Sequence, residues 1–126
     1  MNVVRSDVEQ LVKKELESAN KRFPAFRSPH EGWAVIREEF EELKNAIYVL
    51  KGSMKFLWMG VKKNWNAGED DVDGLAKLIP SQIREEAIDA ACEAIQVAAM
   101  AQKYIEMLDG QEILRLAAQL RERDKA

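Results

Sequence analysis

The sequence predicts an all-α fold, a four- to six-helix bundle that occupies residues 1–126 as a single domain. Three observations support this prediction. Apolar residues recur at helical spacing along most of the chain, stretches with the alternation of a β-strand are nearly absent, and two Ser-x-x-Glu sequences mark helix starts. Hydrophobic residues make up 47% of the chain and charged residues 33%, which is typical of a folded protein and not of a disordered one.

The first helix is predicted over residues 6–22. Ser6 and Glu9 match a capping box, and apolar residues follow at helical spacing up to Phe23. A loop over residues 21–26 then contains Pro24.

The second helix is predicted over residues 29–50. Ser28 and Glu31 form another capping box, with a proline at the first helical position. Gly52 and Ser53 are expected to interrupt this helix.

The remaining elements are predicted from breaks in the apolar pattern. Residues 54–65 favour a short helix, and residues 66–74 are polar and indicate a turn or loop. A long helix is expected from Pro80-Ser81 to residue 108. A break at Asp109-Gly110 separates it from an amphipathic terminal helix over residues 111–123.

The composition also limits the function. No apolar run approaches the roughly 20 residues that cross a bilayer, so we expect no membrane partner. The first ten residues lack the apolar core of a secretory signal, and the single cysteine, Cys92, is expected to be a small core residue in a reducing cytoplasm. A net charge of −3 argues against a nucleic-acid surface.

Several glutamates of the second helix lie where an apolar face is expected. On a wheel of about 100° per residue, Glu39 falls inside the apolar arc, Glu42 at its edge and Glu38 just beyond. Only Glu41 falls on the side where a solvated acid belongs. An ionised carboxylate in an apolar face is costly unless a cation or hydrogen bonds accompany it.

The long helix shows a similar pattern. Residues 87–101 are apolar nearly all round, which predicts a buried helix, and their only polar side chains are Asp89, Glu93 and Gln96. Two buried helices with inward acids favour a divalent cation, and oxygen ligands favour Mg²⁺ or Mn²⁺. His30, the only histidine, does not fit a di-iron pattern.

These segments resemble the MazG-type all-α nucleoside triphosphate pyrophosphohydrolases, in particular their phage and mobile-element members. Residues 38–42 match the family's Glu-Glu-x-x-Glu motif, residues 30–36 look like its opening, and residues 93–101 look like its second half. Gln96 stands where the family usually has Asp. A literal Glu-x-x-Asp occurs at Glu86–Asp89, so two registers stay open, with Glu93 and Gln96 favoured.

The resemblance implies a cytoplasmic, nucleotide-pool house-cleaning enzyme that hydrolyses nucleoside triphosphates to monophosphates and pyrophosphate with Mg²⁺ or Mn²⁺. It implies catalytic roles for Glu39 and Glu38, and a homodimer or homotetramer. The apolar surface of so short a chain also predicts self-association, with the Trp58 region or the terminal helix in the contact. The implied metal ligands are Glu38, Glu39, Glu42, Glu93, Gln96 and Asp89. Candidate substrate-binding residues are Lys103 and Lys55 for phosphate, with Trp33 and Trp58 for base stacking.

Two other functions stay open. The acids could be structural, in a non-enzymatic helical interaction module. Nucleic-acid binding would rest on the lysines near Trp58 and Trp65, and the acidic net charge argues against it.

Overall fold

The described part of the chain is helical throughout its regular structure. The computed structural model describes residues 3–64 and 74–125, and these residues contain three helices and no strand. The helices are α1 (Arg5–Arg22), α2 (Pro29–Lys62) and α3 (Leu75–Asp124). The all-α prediction is therefore confirmed, although the described residues form three helices and not four to six.

The helix count differs because two predicted breaks are absent. α2 continues through Gly52-Ser53, and α3 continues through both Pro80 and Asp109-Gly110. A glycine inside a helix costs only about 1 kcal/mol, which neighbouring helix-forming residues and packing can offset. Trp65 and most of the predicted loop over residues 66–74 lie outside the described residues.

One of the two predicted serine caps is found at its helix start. The hydroxyl of Ser28 accepts a hydrogen bond from the backbone N–H of Glu31 at 3.1 Å. At α1 the prediction was wrong, since the helix begins one residue earlier with Val4 as N-cap and no side-chain cap. There Glu9 pairs with Arg5 at 2.9 Å instead.

The chain divides into two compact units. Unit 1 comprises Met1–Glu38 with Ile95–Ala126, and unit 2 comprises Glu39–Ala94. In unit 1, the buried apolar residues from α1, the α1–α2 loop and α3 are Leu16, Phe26, Ala99, Met100 and Met107. Gly32 of α2 is also buried there, and a Cβ at this position would lie 2.5 Å from the Tyr104 ring. This glycine therefore permits a close approach of α2 to α3.

Unit 2 contains the second part of α2 and the first part of α3. The two segments are antiparallel, because Glu42 lies near Glu93 whereas Ser53, further along α2, bonds Glu86, earlier on α3. Only one helix of the described unit packs against α3, so the far side of α3 is exposed. The prediction that Cys92 is a core residue was wrong for this reason.

Among the described residues, no helix is both long enough and hydrophobic enough to cross a bilayer.

Candidate metal centre

Three carboxylates meet between the two helices of unit 2. Glu39 and Glu42 are three residues apart on α2, which places them on one face of the helix. Glu93 projects from the antiparallel segment of α3. One carboxylate oxygen from each of the three residues lies within 4.8 Å of the other two. A cation between them could therefore reach all three side chains.

The three carboxylates of the cluster differ in their exposure to solvent. Glu39 and Glu93 are half-buried, whereas Glu42 is exposed. This agrees with the predicted helical wheel, on which Glu39 points inward and Glu42 lies at the edge of the apolar arc. The cluster is therefore anchored between the helices and open to solvent on one side.

The pKa of Glu93 is shifted by its surroundings in the cluster. Partial burial raises the pKa of Glu93 above its ordinary value, and the neighbouring carboxylates of Glu42 and Asp89 raise it further. A side-chain hydrogen bond with Glu42 contributes to the same rise in the pKa of Glu93. A divalent cation bound among these carboxylates would offset their repulsion.

Glu86 has a different environment from Glu93. The Ser53 hydroxyl donates a hydrogen bond to Glu86 Oε1 at 3.0 Å, and Glu86 Oε2 is buried with no hydrogen-bond partner among the described residues. Of the two registers that the sequence left open, the structure brings Glu93 and not Glu86 to the acids of α2. Ser53 was missed because Gly52-Ser53 was interpreted as a helix break, although Ser53 falls on the inward side of α2.

The other predicted metal ligands are not members of this carboxylate cluster. Asp89 is exposed on α3, close enough to Glu93 to affect its pKa. Glu38 is exposed and Gln96 is half-buried, and both belong to unit 1. The described carboxylate cluster thus consists of Glu39, Glu42 and Glu93.

Lys103 has a structural environment that the sequence did not predict. Its side chain in unit 1 is only 3% exposed, and Nζ donates a hydrogen bond of 2.7 Å to the carbonyl of Phe23. The ammonium also lies 4.9 Å from the centre of the Phe26 ring. Burial lowers the pKa of Lys103, and nearby Glu31 partly opposes this. As placed here, Lys103 holds the α1–α2 loop against α3, in contrast to the predicted phosphate contact.

The remaining candidates for substrate binding are on the surface. Trp33 and Trp58 are 59% and 57% exposed, and each carries a basic side chain over its ring, Arg37 at 5.3 Å and Lys62 at 5.8 Å. Lys55 is also exposed. These side chains are accessible to a ligand, and their roles in base stacking and phosphate binding stay predictions.

Comparisons with known proteins do not identify this arrangement. No protein-family model, curated protein or solved structure matches the chain. The resemblance to the MazG-type enzymes therefore rests on the sequence motifs alone, and the feature of the structure that bears on function is the carboxylate cluster.

Proposed function

We propose that this protein is a Mg²⁺-dependent nucleoside triphosphate pyrophosphohydrolase of the MazG type, with Mn²⁺ as an alternative metal. The observation that carries the proposal is the meeting of Glu39, Glu42 and Glu93 within 4.8 Å. These acids come from the two segments that resemble the family's motifs. A set of carboxylate oxygens is the donor chemistry that Mg²⁺ and Mn²⁺ prefer.

The chemistry of the site follows from this donor set. A bound divalent cation would neutralise phosphate charge and lower the pKa of a coordinated water. Glu39, the most central of the α2 acids, would accept the proton of the attacking water, with Glu38 assisting. The water oxygen then bonds to the α-phosphorus, and the bond from the α-phosphorus to its bridging oxygen breaks. Pyrophosphate leaves with the electron pair, and the other product is a nucleoside monophosphate.

Assembly is part of the proposal. We expect a homodimer or homotetramer in the cytoplasm. Support comes from unit 2, where a seven-residue apolar repeat on α2 leaves four side chains 43–55% exposed. These side chains are Phe40, Ile47, Met54 and Val61. Trp58 extends this apolar stripe, which is the kind of surface that a second helix pair covers.

A non-enzymatic interaction module is the second candidate, and the same apolar stripe favours it. In that case the acids are structural and the cluster binds no metal. The two functions are separated by turnover and by metal dependence.

The decisive experiment is a screen of canonical and modified nucleoside triphosphates with Mg²⁺, in which released pyrophosphate is measured. We expect turnover that stops with EDTA. Glu93→Gln preserves shape and removes a charge, so it should lower kcat by at least about 100-fold. Glu86→Gln should cost less than about tenfold, equivalent to about 1.4 kcal/mol of barrier.

Glu41→Gln is the matched control. Glu41 is on the same helix as Glu42, but it is not one of the three clustered carboxylates, and it pairs with Lys44 at 3.6 Å. Its replacement should leave kcat unchanged. If no substrate yields pyrophosphate although circular dichroism shows that every variant is folded, the interaction module is favoured. A dead Glu86→Gln variant beside an active Glu93→Gln variant would refute the assignment of Glu93.

A further inference from the structure

The end of α3 is exposed to solvent along its whole length. We call residues 108–124 the terminal segment, and every one of its residues is exposed. Ile113 is 66% exposed and Leu120 57%. A helix of this length is only marginally stable alone in water, and most helices in proteins are stabilised by packing of an apolar face. The terminal segment therefore lacks the packing partner that its sequence calls for.

Unit 1 also contains a groove in which such a helix could pack. The groove lies between α1 and α3 and has a volume of about 610 Å³. Its apolar lining includes Val8, Val12, Leu16 and Ala98. Charged and polar side chains line it as well, namely Arg5, Glu9 and Lys13 on α1 and Gln102 and Glu106 on α3. A groove with both apolar and polar lining can accept an amphipathic helix, whose apolar face contacts the apolar part.

The α3 wall of the groove and two apolar residues of the terminal segment lie on the same face of α3. The α3 wall of the groove is formed by Ala98, Gln102 and Glu106, which are spaced four residues apart. Continuing along that face of α3 by helical spacing leads to Ile113 and then to Leu120. One half of the face is thus bordered by α1, whereas the other half is bare.

The two halves lie at nearly equal distances from Gly110. Glu106 precedes Gly110 by four residues and Ile113 follows it by three. Ala98 precedes it by twelve residues and Leu120 follows it by ten. Two antiparallel copies of α3 that cross near Gly110 would therefore place each bare half in the other copy's groove. This self-complementarity is what a two-fold symmetric interface requires, and it identifies the partner as a second copy of this chain.

Gly110 itself supports the same conclusion. Glycine inside a helix is unfavourable by about 1 kcal/mol relative to alanine. A Cβ at Gly110 would meet no atom within 4 Å, so packing among the described residues does not require a glycine here. On the helical wheel Gly110 lies roughly 60° from Ile113, at the edge of the bare face. A second helix that crosses closely at this point would explain it.

We propose that two copies of the chain associate through the terminal segments, which cross antiparallel near Gly110. Ile113, Leu116 and Leu120 of each copy enter the α1–α3 groove of the other. This interface is separate from the apolar stripe of α2, and it does not depend on the proposed hydrolase activity.

The first test uses light scattering over a range of protein concentrations. Leu116→Glu should halve the mass of the assembly, whether that assembly is a dimer or a tetramer, because it places a charge in the interface. Gln119→Glu is the control, since Gln119 lies on the polar side of the same segment. Both residues are exposed in the single chain, so neither substitution should affect its fold. A wild-type protein that stays at 14.4 kDa, or a Leu116→Glu variant of unchanged mass, would overturn the proposal.

A second test uses the glycine. Gly110→Leu should increase the helix content of the chain and yet weaken self-association by at least about tenfold, because a side chain then fills the crossing point. Gly52→Leu is the matched control, because Gly52 is also inside a helix with no atom within 4 Å of a built Cβ. It should increase helix content without changing self-association. Equal effects of the two substitutions on association would contradict the proposal.

The antiparallel register can be tested by oxidation in a Cys92→Ala background. The pair of substitutions Glu106→Cys and Ile113→Cys should give covalent dimers, because each residue faces the other in the partner copy. Ile113→Cys alone should not cross-link. Efficient cross-linking of that single variant would indicate parallel pairing or an antiparallel crossing at Ile113, and either result would refute the proposed arrangement. Pyrophosphate release by the same samples would report on the hydrolase proposal separately.

Discussion

The substitution Glu93→Gln should have opposite effects on stability with and without metal. In the metal-free protein, Glu93 lies within 4.8 Å of both Glu39 and Glu42, and the three carboxylates repel one another. Replacing Glu93 by Gln removes that repulsion and should raise the melting temperature. In the presence of Mg²⁺ the same substitution removes a ligand, so the gain from metal binding should be lost.

The gain in stability without metal can be calculated from the distance between the carboxylates. Two unit charges 4.8 Å apart repel by about 1 kcal/mol in water and by about 3 kcal/mol at an effective dielectric constant near 20. Glu42 is exposed, so the lower figure applies to its pair with Glu93. Adding about 1 to 3 kcal/mol for the pair with half-buried Glu39 gives a total relief of about 2 to 4 kcal/mol. For a chain of 126 residues this corresponds to roughly 8 to 16 °C in Tm.

The second effect follows from mass action. A ligand present at 100 times its Kd stabilises the native state by about 2.7 kcal/mol, or roughly 10 °C for a protein of this size. Differential scanning calorimetry of wild type and Glu93→Gln at pH 8, in EDTA and in excess Mg²⁺ at one protein concentration, gives all four values. Glu41→Gln should behave like wild type, because an exposed ion pair contributes about 1 kcal/mol or less.

Two results would refute this reasoning. A Glu93→Gln variant less stable than wild type in EDTA would mean that repulsion does not dominate the cluster. A full Mg²⁺-induced rise in Tm in the variant would mean that the metal binds elsewhere.

Three further predictions concern stability. In EDTA, the free energy of unfolding should fall as pH rises above about 4.5, the ordinary pKa of a glutamate. The reason is that the pKa of Glu93 is raised in the native protein, so the native state binds this proton more tightly than the unfolded chain does. The fall should end above the raised pKa and be absent in Glu93→Gln, as measured by urea unfolding at a series of pH values. Gly32→Ala should cost about 1–3 kcal/mol in urea unfolding, because its Cβ would lie 2.5 Å from Tyr104. Lys103→Met should cost about 1–2 kcal/mol in the same assay, since the Phe23 carbonyl loses its 2.7 Å hydrogen bond.

The sequence predicted the helices better than their ends. Apolar spacing identified α1 and the first half of α2 because a periodic pattern is set by many residues. Gly52-Ser53 and Asp109-Gly110 were wrongly predicted as breaks because a glycine's local preference is small. At Ser53 a tertiary contact with Glu86 adds to the packing of the helix.

The candidate site was predicted in part for the same reason. A helical wheel located Glu39 and Glu42, since their positions depend only on helix geometry. The choice between Glu86 and Glu93 needed the relative position of α2 and α3, which no local pattern specifies. The structural environment of Lys103 was also missed, because its partner Phe23 is 80 residues away in the chain.

The carboxylate cluster also joins distant parts of the sequence. Glu42 and Glu93 are separated by 51 positions, so a cation bound by both would act as a reversible cross-link that closes a long loop. The chain entropy lost on closing such a loop grows slowly with its length, and a link that forms only in the folded state holds α2 and α3 together within unit 2. Withdrawal of the ion would therefore favour separation of α2 from α3 in unit 2. Chelation should then speed the cleavage of these segments by proteases and the exchange of their backbone amide hydrogens.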